Sequence, residues 1–210
     1  MAEIQPAMEN EALIDEPLKR QLSALYRAGG RHYHGLSHIE ALLALAGEYR
    51  AELSDPAAVE AAIWFHDAIY DSRAKDNEVR SAELARERLA GKTGPTRIAR
   101  IAAMIEATAT HRLPEFDDEN AGRDAALFLD MDLSILGAPP AAFDAYEQAV
   151  RREYAWVEEP LWVAGRGAVL RGFLARPHIF HTQEFRRRFE RQARENIRRS
   201  VERLAPHPPP

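Results

Sequence analysis

Asp55-Pro56-Ala57-Ala58-Val59-Glu60-Ala61-Ala62-Ile63-Trp64-Phe65-His66-Asp67 is the stretch on which the reading of the fold turns. Aspartate before proline is a helix-start signal, with Asp55 as N-cap and Pro56 in the first turn. The helix that follows is apolar almost all round, so it is predicted to be central. Its neighbours read as helices too. Glu16 to Ala28 forms one, ended by Gly29-Gly30. Ser37-His38-Ile39-Glu40 has the form of a capping box, which predicts a helix from His38 to about Ala51. Asp76 is placed to cap a helix to about Leu89, with Val79, Ala82 and Leu89 on its inner stripe. Ile98, Ile101, Ala102 and Ile105 keep helical spacing in the next. Leu113 to Arg123 reads as a polar loop, and Asp124 to Leu136 as a short apolar helix stopped by Gly137 and Pro139-Pro140. Phe143, Tyr146, Val150 and Tyr154 mark a further helix, Pro160 opens one to about Leu174, and Thr182 caps the last. No stretch alternates as a strand does. The fold class is all-α, a helical bundle with short connections.

With 210 residues the chain suits one helical domain over residues 16–204, flanked by flexible ends at 1–15 and 205–210. It contains no cysteine, which excludes disulfides, thiolate metal sites and a cysteine nucleophile. The start is acidic and broken by Pro6, unlike a signal peptide, and no apolar run reaches the length of a membrane span. A cytoplasmic protein with no membrane partner is the expectation. The net charge of -5 argues against a chain-wide nucleic-acid surface. The window Thr182 to Arg203, however, holds eight arginines against four glutamates. A solvated helix face with Glu-Arg pairs explains such a run more simply than a polyanion site.

Chemistry is sought where ligand-type side chains fall on apolar faces, because a buried carboxylate costs several kcal/mol unless it is paired or bound to a metal. Asp132 has Phe128, Leu129, Ile135 and Leu136 one turn away on either side, so it is read as pointing inward. Asp130 has Ala126, Leu127, Leu133 and Ser134 there, a slightly less buried setting. The alternative for Asp132 is a carboxylate that caps a neighbouring helix. His66 has Ala62, Ile63 and Ile69 at the same steps. Adjacent residues diverge by about 100° on a helix, so His66 and Asp67 share one ion most easily near a helix end. His38 lies in the first turn of its helix. His34 precedes it by four residues, but Ser37 as cap puts His34 outside that helix, where it lines a pocket mouth or bonds to backbone. Two imidazoles and two carboxylates suit one divalent ion of manganese, iron, cobalt, nickel or zinc.

These residues together resemble the HD-domain superfamily of metal-dependent phosphohydrolases. That pattern is a histidine, then an adjacent His-Asp, then a distant aspartate, on a helical bundle. Here the resemblance implies His38, His66, Asp67 and Asp132 as metal ligands, with Asp132 rather than Asp130 as the last. The match is closer to a subgroup of small predicted HD phosphohydrolases. It is carried by Arg31 to Glu40, Trp64 to Asp71, Asp76 to Ala85, Ala107 to His111 and Leu129 to Gly137, and covers about residues 20 to 200. The paired Gly-Tyr-Pro motif of cyclic-dinucleotide phosphodiesterases in this superfamily is missing. The resemblance implies an HD-type helical fold and hydrolysis of a phosphomonoester or phosphoanhydride, a nucleotide among the substrates to test.

On that reading Asp67 is catalytic as well as a ligand, and Asp71 is a base or water-positioning group, with capping of the next segment as its other role. Arg31 and Lys75 are candidate phosphate clamps, or surface charges. His34 and His111 are candidate substrate contacts. His111 is also placed to reach a second ion, or simply to face a loop. Three other readings stay open: a non-catalytic nucleotide- or metal-binding protein, a nucleic-acid-interacting protein using the arginine-rich last helix, and a structural role for the polar core. A homo-oligomer is left open by Trp156, Trp162 and Phe173 on the late helices.

Overall fold

In the computed structural model, which describes residues 12–205, the chain folds into helices α1 (Glu16–Tyr26), α2 (Leu36–Glu48), α3 (Pro56–Phe65), α4 (Asn77–Leu89), α5 (Pro95–Ala107), α6 (Glu119–Leu133), α7 (Pro140–Glu153), α8 (Glu159–Leu174), α9 (Gln183–Phe185) and α10 (Arg191–Leu204). No β-strand occurs among the described residues, so the fold is all-α as the sequence predicts. It divides into two compact units. The first runs to Gly29 and from His34 to Phe128; the second comprises Gly30–Tyr33 and the chain from Leu129 onward.

In the first unit α3 is the centre, packed by α1, α2, α4 and α5. Asp55 caps it by accepting from the Ala58 N–H at 3.0 Å, with Pro56 in the first turn. Ala61 through Phe65 are all buried, and each of the large side chains is worth roughly 1.5–3 kcal/mol removed from water. Polar groups fix the N-terminal end of α3. Asp124 of α6 accepts from the Ser54 and Asp55 N–H groups at 2.8 Å each, and Arg97 of α5 forks onto the Asp55 carboxylate. Burial pushes the Asp124 carboxyl above its ordinary range, against the pull of those two backbone donors.

Four sequence expectations need correction here. The N-terminal tail is ordered earlier than Asp15. Leu13 and Ile14 are buried, and Asp15 caps α1 through the Leu18 N–H at 2.9 Å. The rest of that tail and residues 206–210 lie outside the described residues. Helix α2 starts at Leu36 with extended Gly35 as N-cap and no side-chain cap, so Ser37 lies inside the helix. Val79 is 49% exposed rather than part of the α4 stripe, whose buried positions are Asn77, Ser81, Ala82, Ala85 and Leu89. Helix α6 begins at Glu119, five residues before Asp124. Asp118 is its cap, accepting from the Asn120 N–H at 2.9 Å.

In the second unit the core is Leu129, Met131, Leu133, Leu136, Phe143, Leu170, Ile179, Phe180, Phe185, Ala193 and Ile197. After α6 the chain tightens into a 3-10 turn, Ser134–Gly137. A Cβ on Gly137 would stand 2.6 Å from that of Phe189, so only glycine lets these two segments meet. Phe189 belongs to a π-helical turn, Arg186–Glu190, between α9 and α10. Thr182 does cap the start of this run, accepting from the Phe185 N–H. Buried Asn196 of α10 ties the other side by donating to the Leu136 and Ala138 carbonyls at 2.9 and 2.8 Å. No single helix among the described residues is long and apolar enough to cross a membrane.

Candidate metal centre

Helix α3 ends at Phe65, and His66 is its C-cap, its N–H still bonded to the Ala62 carbonyl at 2.9 Å. The chain then turns, so His66 and Asp67 project from a helix end, where neighbouring side chains can converge. The His66 ring is fully buried, with its Nδ1 2.9 Å from the Ile63 carbonyl and its face edge-on to Phe128 at 5.8 Å. A carbonyl can only accept, so Nδ1 carries the proton and Nε2 of the neutral ring presents a lone pair.

That Nε2 faces two other electron-rich atoms. His38 Nε2, from the first turn of α2, is 3.2 Å away, and Asp67 Oδ2 is 3.1 Å away. The third side of the triangle, His38 Nε2 to Asp67 Oδ2, is 3.9 Å. Lone pairs turned on one another in a buried site repel unless a cation lies among them. A proton shared with His66 meets that need for one edge. A metal ion meets it for all three, since three atoms with these separations lie on a circle of radius about 2 Å, the length of a bond from a first-row divalent ion to nitrogen or oxygen. His38, His66 and Asp67 therefore form a group that could hold a metal ion.

Burial alone would raise the Asp67 carboxyl. The surrounding imidazoles, His66 foremost, with His34 and His38, outweigh it and hold the group well below the usual carboxylate range. Asp67 is thus an anion wherever its neighbours carry positive charge, as a metal ligand must be. His34 lies outside α2, as expected, so it forms no His-x3-His pair on one helix face. It stacks on Tyr70 with ring centroids 4.4 Å apart and acts on Asp67 through space.

The loop after Asp67 is clasped by α4. Ser81, fully buried, accepts from the Ile69 N–H at 3.0 Å and donates to the Ile69 carbonyl at 3.3 Å. Asn77 accepts from the Asp71 N–H at 3.0 Å and donates to the Asp71 carbonyl at 2.9 Å. Neither residue was singled out from the sequence; both sit in the Asp76-to-Ala85 segment that carries the resemblance. Asn77→Ala is expected to destabilise the protein by about 1–2 kcal/mol and to weaken metal binding roughly tenfold by loosening the loop. Thermal melts and metal titration of the variant check both effects.

The remaining expected site residues fall differently. Asp71 lies in the loop beyond the end of α3. It is exposed, and its Oδ1 closes a turn by accepting from the Arg73 N–H at 2.9 Å. Lys75 is exposed in the same loop. His111 ends the α5 region in the left-handed conformation, φ +49°, with its N–H on the Ala107 carbonyl at 2.8 Å. Arg31 and Asp132 belong to the second unit, both half-buried. The relative burial of the two α6 carboxylates is the reverse of the sequence reading. Asp130 is fully buried, whereas Asp132 is partly accessible and acts electrostatically on the Tyr146 phenol. From Ala125 to Leu133 every residue of α6 but Asp132 is buried, so counting apolar neighbours could not rank the two. Asp130 is accounted for by backbone: it accepts from the His181 and Thr182 N–H groups at 2.6 and 2.7 Å and from the Thr182 hydroxyl at 2.7 Å.

Much of the arginine run is also committed inside the fold. Arg186 donates to the Phe180 and His181 carbonyls, Arg194 to Glu190 and three carbonyls, and Arg199 and Arg203 to Asp144. A cleft of about 990 Å³ opens at the far end of α3, between Arg50, Asp55, Arg97 and Asp124, and none of the three metal-type donors lines it. Comparisons with family models, with curated proteins and with solved structures find no match for this chain.

Proposed function

We propose that this chain is a divalent-metal-dependent phosphohydrolase of the HD type, acting on a phosphomonoester or phosphoanhydride in the cytoplasm. The observation that carries the reading is the convergence of His38 Nε2, His66 Nε2 and Asp67 Oδ2 on one buried spot. The set is borderline in softness, which suits manganese, iron, cobalt, nickel or zinc. An ion of that kind supplies charge toward a phosphoryl oxygen and acidity toward water.

The chain's own residues supply the rest. His66, its Nδ1 proton committed to Ile63, offers Nε2 in one fixed orientation. Asp67 brings the negative charge that two neutral imidazoles lack. His34, stacked on Tyr70, is the imidazole we assign to a substrate contact. Arg31 and Lys75 are the cations assigned to phosphate charge, which dominates the barrier in phosphoryl transfer. The resemblance assigns Asp132 as a further ligand, and metal titration of Asp132→Asn tests that assignment by itself.

The activity test loads the purified full chain with Mn²⁺, Co²⁺ or Ni²⁺ and screens nucleotides, sugar phosphates and p-nitrophenyl phosphate. Phosphate release that stops on chelation and returns with the ion is the expected result. Binding of ion and nucleotide with no release across the panel would instead favour a non-catalytic binding protein.

A further inference from the structure

Helix α8 has a composition that does not match its surroundings. Apart from Glu159, Arg166 and Arg171 it is built of apolar and small residues around its whole circumference, the pattern of a buried helix. Yet only Gly167 and Leu170 of its sixteen residues are buried. Arg166 is turned inward, onto Glu147 and the Tyr146 hydroxyl. Besides Glu159 and Pro160 at its start and Arg171 near its end, what faces solvent is Leu161, Ala164, Gly165, Ala168, Val169 and Gly172. Leu161 is 68% exposed and Val169 50%, and Trp156 just before the helix is 47% exposed. Among the described residues, three of the six large exposed hydrophobic side chains thus lie within this one segment.

The spacing Leu161, Gly165, Ala168, Gly172 alternates four and three residues, the seam along which two helices pack side by side. Glycine and alanine on that seam let two backbones come close. The ends of the face differ in charge. Glu158 stands exposed at its N-terminal end, beside Glu159, which is paired with Arg151 of α7, and Arg171 stands exposed at its C-terminal end. A parallel neighbour would set like charges together. An antiparallel neighbour of the same sequence sets each acidic end against the other's arginine. Such a pairing is closed by a two-fold axis, the commonest symmetry of soluble oligomers.

We propose that the exposed face of α8 binds a second copy of this chain, antiparallel, α8 against α8, with Leu161 and Val169 as its apolar anchors. A helix of this length spans about 24 Å, so the face alone offers less area than the roughly 800 Å² per partner of a standard stable interface. A dimer in the micromolar range, in exchange with monomer, follows.

Sedimentation equilibrium of the full chain over about 1–200 µM tests this. The weight-average mass is expected to rise from 23.7 kDa toward twice that value. Val169→Glu, at a solvent-facing position, should weaken the dimer at least tenfold with an unchanged melting curve. Arg171→Glu should weaken it too, and combining Arg171→Glu with Glu158→Arg should restore it. Monomer mass at every concentration, or a dimer indifferent to Val169→Glu, overturns the proposal and leaves the face to a different protein. Failure of the charge pair to restore association overturns the antiparallel arrangement.

Discussion

Asp67→Ala is expected to lower the affinity of the chain for Mn²⁺ or Co²⁺ by at least about 100-fold. Losing even an outer partner of a metal ligand costs 10–100-fold, and Asp67 would be a ligand itself. It is also the one carboxylate in the three-residue group, so its removal takes away the negative charge that offsets a divalent ion in a buried site. His38 and His66 remain in the variant, 3.2 Å apart, but two neutral imidazoles do not make up that charge. Isothermal titration of both proteins reads the difference directly. Phosphohydrolase activity should fall with metal affinity, and turnover in the variant at undiminished rate would exclude the proposed mechanism.

Asp130→Ala is expected to cost about 3 kcal/mol of stability, although Asp130 lies outside the three-residue group. Three donors converge on its carboxylate, and each hydrogen bond to a charged group contributes roughly 1.5–3 kcal/mol. Burial pushes this carboxyl above its ordinary range, so the three donors are what make an anion tolerable there. Alanine leaves them without an acceptor at the point where Thr182 starts the terminal helical run. Asp130→Asn keeps the shape but turns one oxygen into an NH₂ that faces an N–H, so it should recover only part of the loss. A fall in melting temperature of about 8 °C for the alanine variant corresponds to this cost in a chain of this size. Unchanged melting in both variants would mean that the contact at Thr182 does not support the fold.

The contrast between these two aspartates shows what the sequence could reveal. Asp55-Pro56 and the apolar run to Phe65 are local signals, and both the helix and its central burial follow from them. His66 and Asp67 were legible for the same reason: ligand-type side chains directly after the most apolar run stand out. Helix starts were less secure. Ser37 and Glu40 satisfy the capping-box pattern, but Gly35 takes the extended conformation two residues earlier and the helix begins there. The acidic stretch before Asp124 looked like loop, yet Asp118 provides a cap that extends α6 to Glu119. The clasp of Asn77 and Ser81 on the loop after Asp67, and the seating of His34 on Tyr70, depend on tertiary contacts between separate segments. No pattern within either segment announces them. The choice between Asp130 and Asp132 likewise depends on what each meets across space.

The central claim is that His38, His66 and Asp67 hold a metal ion. Its most direct test is the metal content and affinity of the full chain, measured by elemental analysis after equilibration with one equivalent of Mn²⁺, Co²⁺, Ni²⁺ or Zn²⁺ and removal of free ion, at pH 7.5 and again at pH 5. The account predicts close to one ion per chain at pH 7.5 and weaker retention at pH 5, because protons compete with the ion for ligand lone pairs. A chain that retains none of the four ions at pH 7.5, or that retains one equally well with both histidines replaced by alanine, would contradict it.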